Sequence, residues 1–365
     1  MKALIINSVC GIKSTGRIAV SIAENFIKNG DEAVVAYGRE NVPKCYEKIS
    51  HRITGNLEVN INALRTRIND NDGFTAEHST AKFLEWANDY DPDILWLHNL
   101  HGYYINVEML FRWIKRRPQM RVNWTLHDCW AFTGHCSYYT YAKCNKWMDH
   151  CYECKQKKEY PMSYFKDASY SNFLKKKSLF TGVENMKIIT PSNWLANEVK
   201  RSFLNQYHVE VVNNEIDTSV FKPTPSAIRK RFEVEEKKIV LGVAAQWQKA
   251  KGWDDFMKLA SMLDDSYVIV LVGVTSKQKK KLPSNIIGIE RTQSKKELAE
   301  IYTAADVFVN PTYEDNYPTT NLEAQACGTP CITYRTGGSV ESVPSENVIE
   351  VGNVQKLWLR IREMV

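Results

Sequence analysis

Asp315 and Glu323 stand eight positions apart, and the residues between them suit anion binding. Pro318, Thr319, Thr320 and Asn321 form a polar opening that predicts a helix N-terminus, with the helix body at 322–327 closed by Gly328 and Pro330. Unpaired N–H groups at such a terminus attract phosphate. Glu323, one turn in, is placed to hold a ribose diol, and Asp315, on the preceding loop, to reach sugar hydroxyls. Lys249 and Lys251, just before Gly252, are cations able to meet a diphosphate. His98, Asn99 and His101 follow one short apolar run, and His127 with Asp128 follows another. The loop at 10–16, CGIKSTG, lets backbone approach a ligand closely but lacks the glycine-rich dinucleotide fingerprint. Cys136, Cys144, Cys151 and Cys154 fall within nineteen residues, the last two as a Cys-x2-Cys knuckle, a spacing that suits tetrahedral zinc.

The elements that carry these groups alternate between strand and helix patterns, as parallel α/β layers do. Strands are expected at 2–7, 32–37, 94–97, 122–125 and 187–190, with an amphipathic helix at 17–29 and Ser192 capping another. The polar stretch 211–217 and the prolines 223 and 225 read as a linker. A second series follows: strands at 238–244, 267–272, 305–310 and 331–334, helices at 254–263 and 298–304. This gives two doubly wound halves, 1–215 and 216–365, facing a central cleft, with a cysteine-rich insert at about 135–160 in the first half. The insert is rich in aromatic and basic residues and poor in aliphatics, so it is expected to need a metal staple rather than a core of its own. Structural zinc is the leading reading of its thiols, with His135 or His150 able to replace one ligand. Free thiols and disulfides are the alternatives.

The segment 310–338, NPTYEDNYPTTNLEAQACGTPCITYRTGG, resembles the acid-x7-acid motif of the retaining nucleotide-sugar glycosyltransferases of family 4, which have the GT-B architecture. That family has Glu at the first position. This chain has Asp315, with Glu314 beside it as an alternative register, and Pro318 falls where the pattern wants it when Asp315 is the match. The run HDCWAFTGHC at 127–136 is similar to the lead-in of a comparable insert in bacterial polysaccharide transferases. The resemblance covers nearly the whole chain and implies a role for each candidate. Gly16 would lie near the donor phosphates or the acceptor. His127 would touch the donor sugar, with Asp128 orienting it or capping a helix, and Asp315 would fix the same sugar. Lys251 would grip the diphosphate, helped by the N–H groups of Thr319, Thr320 and Asn321. Gln246 stands where the family has an Arg, and Lys249 is the nearby cation that could compensate, though a lysine is not a planar arginine fork. Arg291 and Thr292 would line the base pocket, Glu323 would hold the ribose, and His98, Asn99 and His101 would serve the acceptor side.

The implied activity is retaining transfer of a hexosyl or N-acetylhexosaminyl group from a nucleoside-diphosphate sugar, UDP or GDP, to a hydroxyl of a glycan or lipid-pyrophosphate-linked acceptor. Capsule, exopolysaccharide or O-antigen synthesis would be the setting. Two other readings stand beside it. One is a nucleotide-sugar epimerase of the same architecture. The other is a non-catalytic glycan- or membrane-binding relative, for which Gln246 speaks.

The 365 residues carry a net charge of +6, but 101–200 alone carries +8 and the remainder −2. The basic clusters at 112–117, 155–158 and 175–177 read singly as solvated faces, and together as a surface for an anionic membrane or a lipid pyrophosphate. No nucleic-acid motif accompanies them. No apolar run approaches the roughly 20 residues of a membrane span. The N-terminal strand lacks the features of a signal peptide. The expectation is a cytoplasmic protein, with the inner face of the cytoplasmic membrane as a docking surface and its nine cysteines reduced or metal-bound. Since no Asp-x-Asp pair sits in a metal-binding context, no catalytic cofactor is expected. Protein prepared without chelators should hold about one zinc per chain by elemental analysis, and Cys151→Ser or Cys154→Ser should lose it. Brief EDTA treatment should leave turnover unchanged. Prompt inactivation reversed by magnesium would overturn the second half, and four freely titratable thiols with no metal the first.

Overall fold

The computed structural model describes residues 1–365 and divides into two compact units, Met1–Asn213 and Asn214–Val365. The N-terminal unit is built on strands β1 (Lys2–Asn7), β2 (Glu32–Tyr37), β3 (Ser50–Arg52), β4 (Ile94–Leu97), β5 (Arg121–Thr125), β6 (Met186–Thr190) and β7 (Val209–Val211). They form one sheet in the order β3-β2-β1-β4-β5-β6-β7, and every pairing is parallel. Parallel strands covered on both faces need nearly continuous apolar sequence, and Ala3, Leu4, Ile5 and Ile6 are accordingly buried. Helices α1 (Lys13–Lys28), α2 (Asn56–Asn69), α3 (Glu77–Tyr90), α4 (Val107–Lys115), α5 (Ser169–Phe180) and α6 (Asn193–Arg201) cover the sheet. α1 turns Gly16, Ala19, Val20 and Ala23 inward, the i, i+3, i+4, i+7 pattern of a packed helix. Ser192 caps α6 by accepting from Leu195 N at 3.1 Å, as its sequence predicts.

The C-terminal unit carries β8 (Lys238–Val243), β9 (Tyr267–Val272), β10 (Ile286–Ile289), β11 (Val307–Asn310), β12 (Cys331–Tyr334) and β13 (Val348–Ile349). Their order is β10-β9-β8-β11-β12-β13, again all parallel. Its helices are α7 (Ile228–Arg231), α8 (Trp253–Ala260), α9 (Ser276–Lys279), α10 (Lys295–Ala304), α11 (Thr319–Ala326) and α12 (Val354–Met364). Two parallel-sheet Rossmann-like units of this kind constitute the GT-B fold class. In each sheet the strand order reverses once, between β1 and β4 and between β8 and β11. Loops leaving the two strands at such a point diverge and open a crevice at their carboxyl ends.

Three expectations are modified. The helix after Asp315 starts at Thr319, so the polar triplet forms its first turn instead of preceding it. The short strands β3, β7, β10 and β13 and the helices α2 and α3 carry no strong periodic signal. The cysteine-rich insert does build an aromatic core. Trp147 is buried, its ring centroid 5.1 Å from Phe132 and 4.9 Å from Tyr139. Aromatic area replaces the missing aliphatics.

Gly273 follows β9 at φ +93°, and a Cβ there would lie 1.7 Å from the carbonyl oxygen of Ala244. Gly273→Ala should therefore cost about 2–4 kcal/mol and lower Tm by roughly 5–10 °C. Gly30→Ala, at φ +85° with open space around it, should lose only the smaller backbone penalty. Equal Tm losses in the two variants would refute the steric account.

Candidate functional site

In the C-terminal unit the chemistry gathers where β8 and β11 part. The loop after β8 forms a short 3-10 turn, Lys249–Lys251, and the loop after β11 carries Asp315. Lys251 Nζ donates to Asp315 Oδ2 at 2.8 Å, to the carbonyl of Glu314 at 3.0 Å and to Thr312 Oγ1 at 3.4 Å. Tyr313 N donates to Ala250 O at 2.8 Å, so the two loops are laced together. The register with Asp315 thus places that carboxylate, not Glu314, against the lysine.

α11 begins one turn further on. Pro318 is its N-cap residue, and the N–H groups of Thr319 and Thr320 precede the first intrahelical bond. Asn321 differs from expectation. Its N–H donates to Pro318 O at 3.2 Å, and its fully buried side chain accepts from Asn310 Nδ2 and donates to Ser342 Oγ, both at 2.8 Å. Asn321 ties α11 to β11 and to the 3-10 turn Gly337–Ser342, and is a scaffold residue. Glu323 is only 7% exposed, and Tyr302 on α10 donates to its Oε2 at 3.1 Å. No sequence motif pointed to Tyr302, because the pairing joins residues twenty-one positions apart on two helices. Gln246 and Lys249 are exposed beside Lys251 on the β8 loop, while Trp247 between them is buried with its Nε1 on Val272 O at 2.9 Å. Arg291 and Thr292 lie on the loop between β10 and α10, Arg291 exposed.

In the N-terminal unit the loops after β1, β4 and β5 converge. Gly16 lies inside α1, where a Cβ would come 3.0 Å from Val9 Cγ2 and 3.1 Å from Val9 O. It also accepts the Gly11 N–H at 3.0 Å, so its smallness closes the β1 turn on α1. His98 and His127 stack with centroids 5.3 Å apart, and His98 Nδ1 lies 3.0 Å from His127 Nε2. His98 Nε2 is buried without a partner. Asp128 does not orient His127. It accepts from His101 Nε2 at 2.8 Å and, through Oδ1, from Trp130 N at 2.9 Å. His101 Nδ1 is 2.9 Å from the Tyr160 hydroxyl. Asn106 caps α4, its side chain accepting from Met109 N at 3.1 Å. The Asn99 N–H reaches Asn7 Oδ1 at 3.4 Å across the β1/β4 divide. Asp72, which the sequence did not flag, accepts Gly102 N and Tyr103 N, each at 3.1 Å, and so shapes the whole β4 loop.

These burials set the protonation states. Burial pushes His98 well below the ordinary imidazole range, with His127 opposing its charge as well. Burial pulls His127 down to about 4. For His101 burial acts the same way, but the charge and hydrogen bond of Asp128 outweigh it and raise the pKa. The pair at the β4 and β5 ends is therefore neutral at pH 7.

All four insert thiols are free. Cys136 hydrogen-bonds Cys154, which this contact lowers to about 7 while Cys136 is pushed up. Cys151 accepts the Gly134 N–H at 3.2 Å and lies within electrostatic reach of Cys144 and Cys154. His135 is taken by Asp70 at 2.5 Å, and His150 by Asp149 at 2.7 Å. No three His, Cys, Asp or Glu side chains are placed to hold a metal ion. Zinc binding would require Cys144 and Cys151 to close on the Cys136–Cys154 pair.

Residues 226–365 match the family described as glycosyl transferases group 1. The Escherichia coli K12 protein WcaC, named for glycosyl transfer in colanic acid biosynthesis, is 23% identical over 73% of this chain and 67% of its own length. A D-inositol 3-phosphate glycosyltransferase of Mycobacterium is 29% identical over 36% of this chain, and the match spans only 32% of that relative. Among solved structures, sucrose-phosphate synthase of Thermosynechococcus elongatus superposes with a TM-score of 0.70 at 14% identity, over 99% of this chain and 89% of its own. The Anabaena protein HepE, in complex with UDP, gives 0.67 at 14% identity, over 100% and 89%. The likeness to bacterial glycosyl transferases is thus found in the family model and the sequence relatives, and the GT-B fold in the solved structures.

A histidine held below its ordinary value of 6.5 binds fewer protons folded than unfolded between the two values. Its stability contribution is present above about 6.5 and is lost as pH falls towards 4. Stability measured by denaturant should drop through that window, and His127→Gln, which cannot titrate, should drop less steeply. Parallel curves for the two proteins would disprove the neutral pair.

Proposed function

We propose that this chain, a group 1 glycosyl transferase across residues 226–365, moves a hexosyl or N-acetylhexosaminyl group from a nucleoside-diphosphate sugar to a hydroxyl of a glycan or lipid-linked glycan, with retention. The setting is assembly of a bacterial surface polysaccharide. The observation that carries the reading is the Lys251–Asp315 pair at the β8/β11 reversal, one turn from the start of α11. A cation, a carboxylate and a helix N-terminus there offer the three contacts that a diphosphate and its sugar require. The donor nucleotide is taken as UDP, in keeping with the UDP bound by the Anabaena neighbour, with GDP as the second choice.

In this reading the donor changes the partners of Lys251. The resting ion pair is about one-third exposed on the lysine side, and a pair of that kind contributes about 1 kcal/mol at most. A diphosphate carries more charge than one carboxylate and displaces it. Asp315 is thereby released to accept from sugar hydroxyls. Lys251 and the N–H groups of Thr319 and Thr320 then face the charge that builds on the departing phosphate, which is electrostatic catalysis by donors already in place. Gln246 supplies no charge at the position where an arginine is usual, so exposed Lys249 becomes the second cation. Glu323, its orientation set by Tyr302, accepts from the ribose hydroxyls. The leaving phosphate oxygen takes the acceptor proton, and no enzymic nucleophile is needed.

Glu323→Gln should cut transfer at least tenfold, the equivalent of a lost charge-assisted bond of about 1.5–3 kcal/mol. Asp315→Asn should behave differently. By unburdening Lys251 it should leave UDP affinity equal or up to about fivefold tighter, while turnover falls at least tenfold. Calorimetric UDP titration beside a radiolabelled-sugar transfer assay reads both. UDP affinity falling in step with turnover in Asp315→Asn would sink the exchange of partners, and wild-type kinetics in Glu323→Gln would sink the donor site itself.

A further inference from the structure

α2 has two apolar faces. Val59, Ala63 and the small polar residues Asn62 and Thr66 face the core. On the opposite side Leu57, Ile61, Leu64 and Ile68 are 75%, 51%, 57% and 43% exposed. Their spacing of 4, 3 and 4 sets them in one line along the helix. Single exposed aliphatics are ordinary, but a contiguous stripe marks a contact surface. The stripe continues beyond the helix. Tyr164 N donates to Arg67 O at 2.8 Å and Lys166 N to Ile68 O at 3.1 Å, which sets Phe165 at the end of the line, 76% exposed.

Cations surround that end. Lys157 Nζ donates to Phe165 O at 3.2 Å, and Arg67 and Lys166 flank it in the two backbone bonds just named. Arg65 is neutralised by Glu77 at 3.1 Å, whereas Arg67, Lys157 and Lys166 have no carboxylate partner. Of the neighbouring acids, Asp167 is engaged by the N–H groups of Cys154 and Ser169, and Glu58 by Ser79. A second copy of the chain fits this face poorly. One line of four aliphatic side chains on a fourteen-residue helix is small against the roughly 800 Å² per partner of a stable dimer, and Glu58, Glu77 and Asp167 are already engaged within their own copy. A lipid surface needs only an apolar wedge with a basic collar.

We propose that the outer face of α2, with the Tyr164–Phe165 edge, docks on an anionic lipid surface. Leu57, Ile61, Leu64, Ile68 and Phe165 enter the headgroup boundary, and Arg67, Lys157 and Lys166 meet the lipid phosphates. The inference is independent of the sugar-transfer reading, because binding is measured without any donor or acceptor.

The test is co-sedimentation of the full chain with vesicles of phosphatidylcholine and phosphatidylglycerol at 3:1, against phosphatidylcholine alone. Wild type should partition to the anionic vesicles at least tenfold more strongly, and less so as salt rises. Ile61→Asp with Leu64→Asp should lower partitioning at least tenfold. Both positions are exposed, so circular dichroism and Tm should match wild type. Arg67→Ser with Lys166→Ser should lower it by about fivefold per charge removed. Absence of wild-type binding, or binding untouched by the two aspartates, would overturn the proposal. Dimerisation in sedimentation velocity that the aspartates abolish, without vesicle binding, would assign the face to a second copy instead.

Discussion

At the carboxyl end of the C-terminal sheet, one ion pair spans the place where the strand order reverses. Lys251 comes from the β8 loop and Asp315 from the β11 loop, and they meet at 2.8 Å. Right-handed crossovers send the chain after β8 and the chain after β11 to opposite sides of the sheet. The crevice left between them would otherwise hold an uncompensated cation beside a helix N-terminus. Asp315 balances that charge, and the carbonyl of Glu314 and Thr312 Oγ1 fix the ammonium in position. The Tyr313–Ala250 bond, the Asn321 network and the Tyr302–Glu323 contact all hold this one junction to its scaffold. A pair of opposite charges of this kind is one that a third, stronger charge could separate.

The N-terminal sheet reverses in the same manner but arranges its polar groups by the opposite principle. At the ends of β4 and β5 burial keeps His98 and His127 neutral, and for His98 the neighbouring His127, 3.0 Å away, adds to the effect. Three positions after His98, His101 is held by Asp128 and has its pKa raised. The same residue type therefore occupies two protonation regimes on one loop. Asp72 makes this possible by accepting the N–H groups of Gly102 and Tyr103, with Gly102 at φ +109° and Tyr103 at φ +71°. Left-handed backbone at a non-glycine residue costs about 1–3 kcal/mol and persists only where surrounding bonds impose it.

The insert between β5 and α5 shows how composition can mislead about packing. Few aliphatics suggested that a metal had to hold it, yet Trp147, Phe132 and Tyr139 bury one another and join the main core of their unit. Lys176 is buried beneath it, its ammonium 3.4 Å from the Trp130 ring centroid and donating to Trp130 O and Thr133 O. Burial lowers that lysine to about 7, so part of the basic charge counted in the sequence lies inside the protein and contributes nothing to the surface. Arg67 and Lys166, beside Phe165, keep their charge at the surface.

The sequence by itself determined the alternation of strands and helices, the long central strands, the Ser192 cap, the placement of Asp315, Lys251 and His127 on loops that follow strands, and that of Glu323 in the helix after Asp315. Each of these rests on local signals: apolar runs, turn residues, capping chemistry and motif spacing within a few tens of residues. The short edge strands β3, β7, β10 and β13 escaped because two to four residues carry too little period. What only the tertiary structure decided was partnership. Asp128 sits beside His127 in sequence but belongs to His101. Asn321 lies within the Asp315–Glu323 motif but is a strut, and Tyr302 and Asp72 carry no motif yet orient the groups that do. A side chain's partner depends on which loops the sheet order brings together. That order arises from crossovers across the whole sheet, which no local window of sequence contains.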